Sequence, residues 1–128
     1  MEEIKIYNGT PHPIKIVAAE STHFDANIRK WVSDNPVFLK EIQSNGVLSA
    51  VIKSKDSSPI LGIPVFDKQI EGCDELPSGY DVYIVSALFA SAYRKQNGNT
   101  DKLYTVADPV YSEDGRTILG SRGICPAF

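Results

Sequence analysis

Pro11 and Pro13 flank His12 directly after a short apolar run, in the stretch Asn8-Gly9-Thr10-Pro11-His12-Pro13. Neither proline has a backbone N–H, and each biases the residue before it, Thr10 or His12, toward extended backbone. A central strand cannot run through such a segment. The chain must bend there stiffly, and the bend carries an amide, a hydroxyl and an imidazole.

On both sides of the bend apolar and polar residues alternate: Ile4 and Ile6 with Lys5 and Tyr7, then Ile14, Ile16 and Ala18 with Lys15 and Val17. Two half-buried strands are expected. Residues 20–36 support two readings. Phe24, Ile28, Trp31 and Val32 sit at helical spacing behind an Asp25 cap, or the stretch is an irregular excursion that stops at Asn35-Pro36. Asn45-Gly46 lies between residues 38–43 and 47–54 and predicts a hairpin, since both central positions of that turn need φ > 0. Residues 55–59 read as a polar loop, and 60–70 as a strand kinked at Gly62 or Pro64.

Pro77-Ser78-Gly79 is a turn, and residues 81–85 form a β-prone run without a breaker. The period then changes: residues 86–97 read as a helix that opens at Ser86 and is stopped by Gly98. Residues 103–106 are a further strand, which Asp108-Pro109 breaks. Asp114-Gly115 predicts a second hairpin between residues 110–112 and 117–119, and Gly120-Ser121-Arg122-Gly123 disrupts the last strand. The sum is an α+β fold: a mostly antiparallel or mixed sheet of about eight short strands with one main helix packed on it. Its 128 residues form a single domain, 1–128, large enough for a core without metal or disulfide.

The net charge of −3 disfavours duplex nucleic acid as a partner, because counterion release needs clustered Lys and Arg. A small anion needs only a few local donors and stays open. Cys73 and Cys125 fit no metal spacing or redox motif and read as reduced cytoplasmic thiols. No secretory leader and no membrane span is expected. Neither a G-x-G-x-x-G nor a Walker A run occurs, and no carboxylate–histidine cluster has metal spacing, so no cofactor or metal is expected.

Each candidate site residue has a plainer alternative. Asn8 and Thr10 are ligand contacts or turn formers. His12 is a ligand contact, a general acid or base, or a loop histidine that orders the bend. Ser86, at a strand-to-helix junction, offers an anion site or an N-cap. Arg116 and Arg122 flank the last strand and suit a phosphate or lie solvated at the surface; the glycines beside Arg122 favour close approach. Tyr104 stacks on a base or belongs to a cross-strand pair.

Several segments together resemble a family of small phage and prophage proteins. They are Asn8-x-Thr10-Pro11-His12 after a strand, Gly62-Ile63-Pro64-Val65, Leu76-Pro77 and Tyr83-Ile84-Val85-Ser86-Ala87-Leu88. Leu103-Tyr104-Thr105-Val106-Ala107-Asp108-Pro109-Val110 and Asp114-Gly115-Arg116 with Gly120-x-Arg122-Gly123 are similar to one branch of it. The resemblance covers most of the chain outside residues 20–58, and Gly9 stands where the family has leucine or a similar residue. It implies a phage-encoded, homo-oligomeric protein in the cytoplasm of the host bacterium. The expectation that follows is sequestration of a phosphorylated, nucleotide-derived defence signal of the cyclic dinucleotide or cyclic ADP-ribose type. In that reading Asn8, Thr10, His12, Ser86 and Arg122 converge on one pocket. One alternative is a metal-independent phosphodiesterase with His12 as acid or base. The other is a phage structural or host-interaction protein without a small ligand, which a contiguous apolar surface patch would mark.

Overall fold

The computed structural model describes residues 3–128. In chain order they form β1 (Ile6–Asn8), β2 (Ile14–Val17), β3 (His23–Asp25), β4 (Lys30–Val32), β5 (Phe38–Ile42), β6 (Ala50–Ile60), β7 (Ile63–Cys73), β8 (Val82–Ile84), α1 (Ala87–Asn97), β9 (Leu103–Tyr111) and β10 (Ile118–Pro126). The expected mixture, sheet-dominated with one α-helix, is what the chain adopts. The main sheet runs β1-β8-β9-β10-β2-β5, and the β3–β4 hairpin joins it through β4 and β9. β6 and β7 form a separate two-stranded sheet.

The unit β8–α1–β9 is a crossover between parallel neighbours, with Tyr83 opposite Leu103. Local chemistry sets both ends of its helix. Ser86 Oγ accepts the Phe89 N–H at 3.1 Å, and Gly98 closes the helix at φ 84 with its N–H on the Arg94 carbonyl. The buried face of α1, Phe89 and Ala90, packs with Leu48, Tyr83, Val85 and Leu103. The Tyr83 hydroxyl donates to the Pro77 carbonyl, which satisfies the one polar atom of this buried ring.

Three expectations need correction, and the two readings of residues 20–36 are resolved. Asn45-Gly46 is not a hairpin turn: β5 pairs with β2, Ile14 opposite Ile42, and Asn45 is drawn onto Asn8 instead. The reversal sits at Leu61-Gly62, where φ values of 48 and 77 suit a tight hairpin. Residues 55–59 therefore belong to β6, and the register break between Ser57 and Ile60 accommodates Pro59. Residues 20–36 make no α-helix. Asp25 does cap, but it caps a β3–β4 turn: its Oδ1 accepts the Asn27 N–H at 2.9 Å, and Arg29 takes φ 56. Finally, Asp108-Pro109 and residues 120–123 do not end their strands. Asp108 absorbs the distortion at φ 51, and β10 shifts register between Ile118 and Gly120. The Asp114-Gly115 hairpin forms as expected, with Gly115 at φ 73.

Gly120 lets β10 lie on β2. A Cβ there would stand 2.5 Å from the Lys15 carbonyl oxygen and 2.9 Å from Val17 Cγ2, whereas one on Gly123 would meet nothing within 4 Å. Gly120→Ala is expected to cost about 2 kcal/mol, lowering a urea midpoint by about 1 M, because backbone cannot yield as a side chain does. Gly123→Ala, measured alongside, is expected to leave the midpoint within experimental error.

Candidate functional site

The bend is built on Asn8, whose side chain is fully buried. Its amide nitrogen donates to the His12 carbonyl at 3.0 Å and the Ile42 carbonyl at 3.1 Å. Its Oδ1 accepts the Thr10 N–H at 3.0 Å. The Thr10 hydroxyl lies 2.6 Å from that oxygen and 3.0 Å from the His12 carbonyl, and its single proton goes to one or the other. Asn45 pairs with Asn8 along the main chain: Oδ1 accepts the Asn8 N–H at 2.8 Å, and the Asn45 N–H donates to the Asn8 carbonyl at 2.9 Å. Both polar groups of the Asn8 side chain are thus taken within the protein. Of the three side chains that the sequence placed in this bend, only the imidazole of His12 faces solvent.

Ser86 is exposed, and its oxygen serves as the helix cap. The Gly9 N–H donates to the Ile84 carbonyl at 2.9 Å, so the bend lies against the strand that leads into that cap. Tyr104 is half-buried on β9, opposite Pro126 and beside Ile84. Arg116 is exposed in the β9–β10 turn. Its main-chain N–H and the Ser112 hydroxyl bind the Asp114 carboxylate, the hydroxyl contributing most, and hold that carboxyl below its usual range.

Arg122 makes its contacts with the β3–β4 hairpin and β9. Its guanidinium lies 3.7 Å above the Trp31 ring centroid, and one nitrogen is 3.3 Å from Asp108 Oδ2. Its Nε is buried without a hydrogen-bond partner. Trp31 also meets Phe24 edge-on, and on the same hairpin Lys30 Nζ sits 4.3 Å above the Tyr111 ring. Among the described residues no hydrogen bond or ion pair joins Thr10, His12 or Ser86 to Arg122. The aromatic–cation cluster was missed in the sequence because Trp31 fell on a helical spacing. Its real position is set by pairing with Val110 across the sheet.

A groove of about 440 Å³ runs between β1 and β5, with Ile4, Lys5 and Ile6 on one wall and Lys40, Glu41 and Ile42 on the other. None of the predicted site residues lines it. Large apolar side chains are exposed in several places: on the outer part of the β6–β7 arm Leu61 is 96% exposed, Ile63 63%, Ile60 62% and Phe66 57%, and elsewhere Ile4 is 68% and Leu39 67% exposed. Among the described residues no group of three or more His, Cys, Asp or Glu is placed to hold a metal. Among the same residues no helix is long and apolar enough to cross a membrane.

Asn8→Ala is expected to destabilise the fold by about 3 kcal/mol in urea unfolding, because it leaves the Ile42 carbonyl and the Thr10 N–H without the amide and the His12 carbonyl with the Thr10 hydroxyl alone. Asn8→Asp keeps the acceptor but loses the two donated bonds, and is expected to be destabilising as well. Comparison with protein-family models, with curated proteins and with solved structures returned no match for this chain.

Proposed function

We propose that this chain is an interaction protein that docks through its β6–β7 arm. The observation that carries this reading is the apolar tip at residues 60–66, held out in solvent on a ribbon that does not join the main sheet. An isolated two-stranded hairpin is marginal in water, and a partner that covers its outer apolar side chains would support it. Here the far end of the arm is braced: the Cys73 N–H donates to Gln96 Oε1 of α1 at 3.3 Å. The tip has no such support. Hiding Ile60, Leu61, Ile63 and Phe66 on a partner is worth about 1–2 kcal/mol apiece, before the cost of association. The resemblance to small phage proteins fits this role, and its Gly62-Ile63-Pro64-Val65 segment is the tip itself. A photo-crosslinking amino acid in place of Leu61, in the full chain within cells, is expected to give a discrete protein adduct. The same group at exposed Asn97 serves as control. Equal adduct at both positions, or none at position 61, would sink the reading.

A second reading, sequestration of a phosphorylated nucleotide signal, is favoured by Arg122. Stacking on Trp31 fixes the plane of its guanidinium, the single contact to Asp108 leaves donors unused, and Nε has no partner. A fixed planar fork is suited to a phosphate. Trp31 is the only tryptophan in the chain, so its fluorescence reports on this place directly. Titration with cyclic dinucleotides and cyclic ADP-ribose isomers is expected to give a saturable change that Arg122→Lys weakens at least about tenfold. No saturable change with any of them up to about 1 mM, a very weak affinity, would remove this reading.

A further inference from the structure

The chain holds Asn-Gly pairs at Asn8-Gly9, Asn45-Gly46 and Asn97-Gly98. We infer that the fold directs spontaneous deamidation to Asn45 among them, and that Asn8 and Tyr7 assist the reaction there.

An asparagine followed by glycine is open to attack by its own main chain, because no side chain on the glycine obstructs the approach. The glycine N–H gives its proton to a buffer base, and the nitrogen bonds to Cγ of the asparagine. The Cγ–Nδ2 bond breaks, and ammonia leaves with a proton taken from water. Water then opens the cyclic imide. Attack at Cγ gives aspartate, and attack at the main-chain carbonyl carbon gives isoaspartate. Water is the only co-reactant consumed.

The reaction needs a free glycine N–H and a carboxamide that can turn. At the first pair the Gly9 N–H is held by the Ile84 carbonyl at 2.9 Å, and the Asn8 amide is buried and bonded on both of its polar groups. At the third pair the Gly98 N–H is held by the Arg94 carbonyl at 2.9 Å, as the helix end requires. Asn45 and Gly46 differ on each count. Both are exposed, and among the described residues the Gly46 N–H has no hydrogen-bond partner. Asn45 is bonded through Oδ1, which leaves its amide nitrogen, the departing group, open to water.

A donor also sits on each oxygen that gains charge. The Asn8 N–H donates to Asn45 Oδ1 at 2.8 Å, and that atom becomes the oxyanion when Cγ is attacked. The Tyr7 hydroxyl donates to the Asn45 main-chain carbonyl at 3.4 Å, a long bond. Through amide resonance that oxygen takes the charge when the Gly46 nitrogen loses its proton. Glycine is also required at position 46: its φ is 139, and a Cβ would stand 2.9 Å from the Tyr7 hydroxyl oxygen.

Isoaspartate at position 45 would disturb the fold. The Asn45 N–H bonds the Asn8 carbonyl and the Leu48 N–H bonds the Gly9 carbonyl, both at 2.9 Å. Isoaspartate adds a methylene to the main chain between these two anchors. The longer link must bulge or draw Leu48 out of the core under α1.

The test is site-resolved mass spectrometry of the full chain, kept folded in warm, mildly alkaline buffer. Conversion at Asn45 is expected to be at least about tenfold faster than at Asn8 or Asn97, which serve as controls within the same molecule. In guanidinium the three rates are expected to converge, because the unfolded chain presents three equivalent pairs. Tyr7→Phe keeps the ring that packs on Tyr80 and Tyr83. In the folded state, checked by circular dichroism, it is expected to slow Asn45 about threefold, as loss of a weak hydrogen bond would. Conversion at Asn8 or Asn97 as fast as at Asn45 in the folded wild type would overturn the inference, and that comparison needs no variant. So would a folded Tyr7→Phe protein that converts at the wild-type rate.

Discussion

One buried side-chain amide ties the first strand, the proline bend and the far edge of the sheet together. Asn8 sits at the end of β1, and its carboxamide reaches the main chain of Thr10, His12 and Ile42. A buried amide is stabilising only when its donors and its acceptor are all met, and each unmet one costs on the order of 1–3 kcal/mol. Here they are met by two separate stretches of chain, the bend itself and the end of β5. The same residue therefore shapes the bend locally and brings β5 back toward β1, which makes the sheet nearly closed. The groove between those two strands begins where the amide stops holding them.

This explains why the polar bend, so prominent in the sequence, offers little to a ligand from its amide and hydroxyl. Asn8 and Thr10 spend their hydrogen bonds inside the protein, and Ser86 gives its oxygen to the helix. The two readings proposed for this chain rest on other places. One is the apolar arm tip. The other is an arginine laid flat on the only tryptophan, which fixes its orientation without using up its donors.

Features with short-range causes were legible. The helix could be read because Ser86 and Gly98 act within one turn of it, and the β9–β10 hairpin because Asp114-Gly115 needs only its own neighbours. Features decided by distant partners were not. Asn45-Gly46 has good turn chemistry, but pairing with Asn8, 37 residues away, outweighs it. Leu61-Gly62 lacks an obvious turn pair, yet the matching of two 11-residue strands places the reversal there. Trp31 and Phe24 kept a helical spacing while their chain was claimed by β9. Of the candidate site, the individual residues Asn8, Thr10 and Arg122 were picked out from sequence. What each one touches depended on the sheet order, which local pattern does not encode.

The order of strands also has a consequence in time. β1 pairs with β8 and β2 with β10, so the opening segments of the chain wait for its closing ones. Contacts so widely separated in sequence are slow to form, and a growing polypeptide emerges from its N-terminus. During synthesis the β6–β7 hairpin, whose pairing is local, can zip up well before the sheet that carries it is complete. A nascent copy would then expose its apolar arm tip while the rest of the domain was still unfolded.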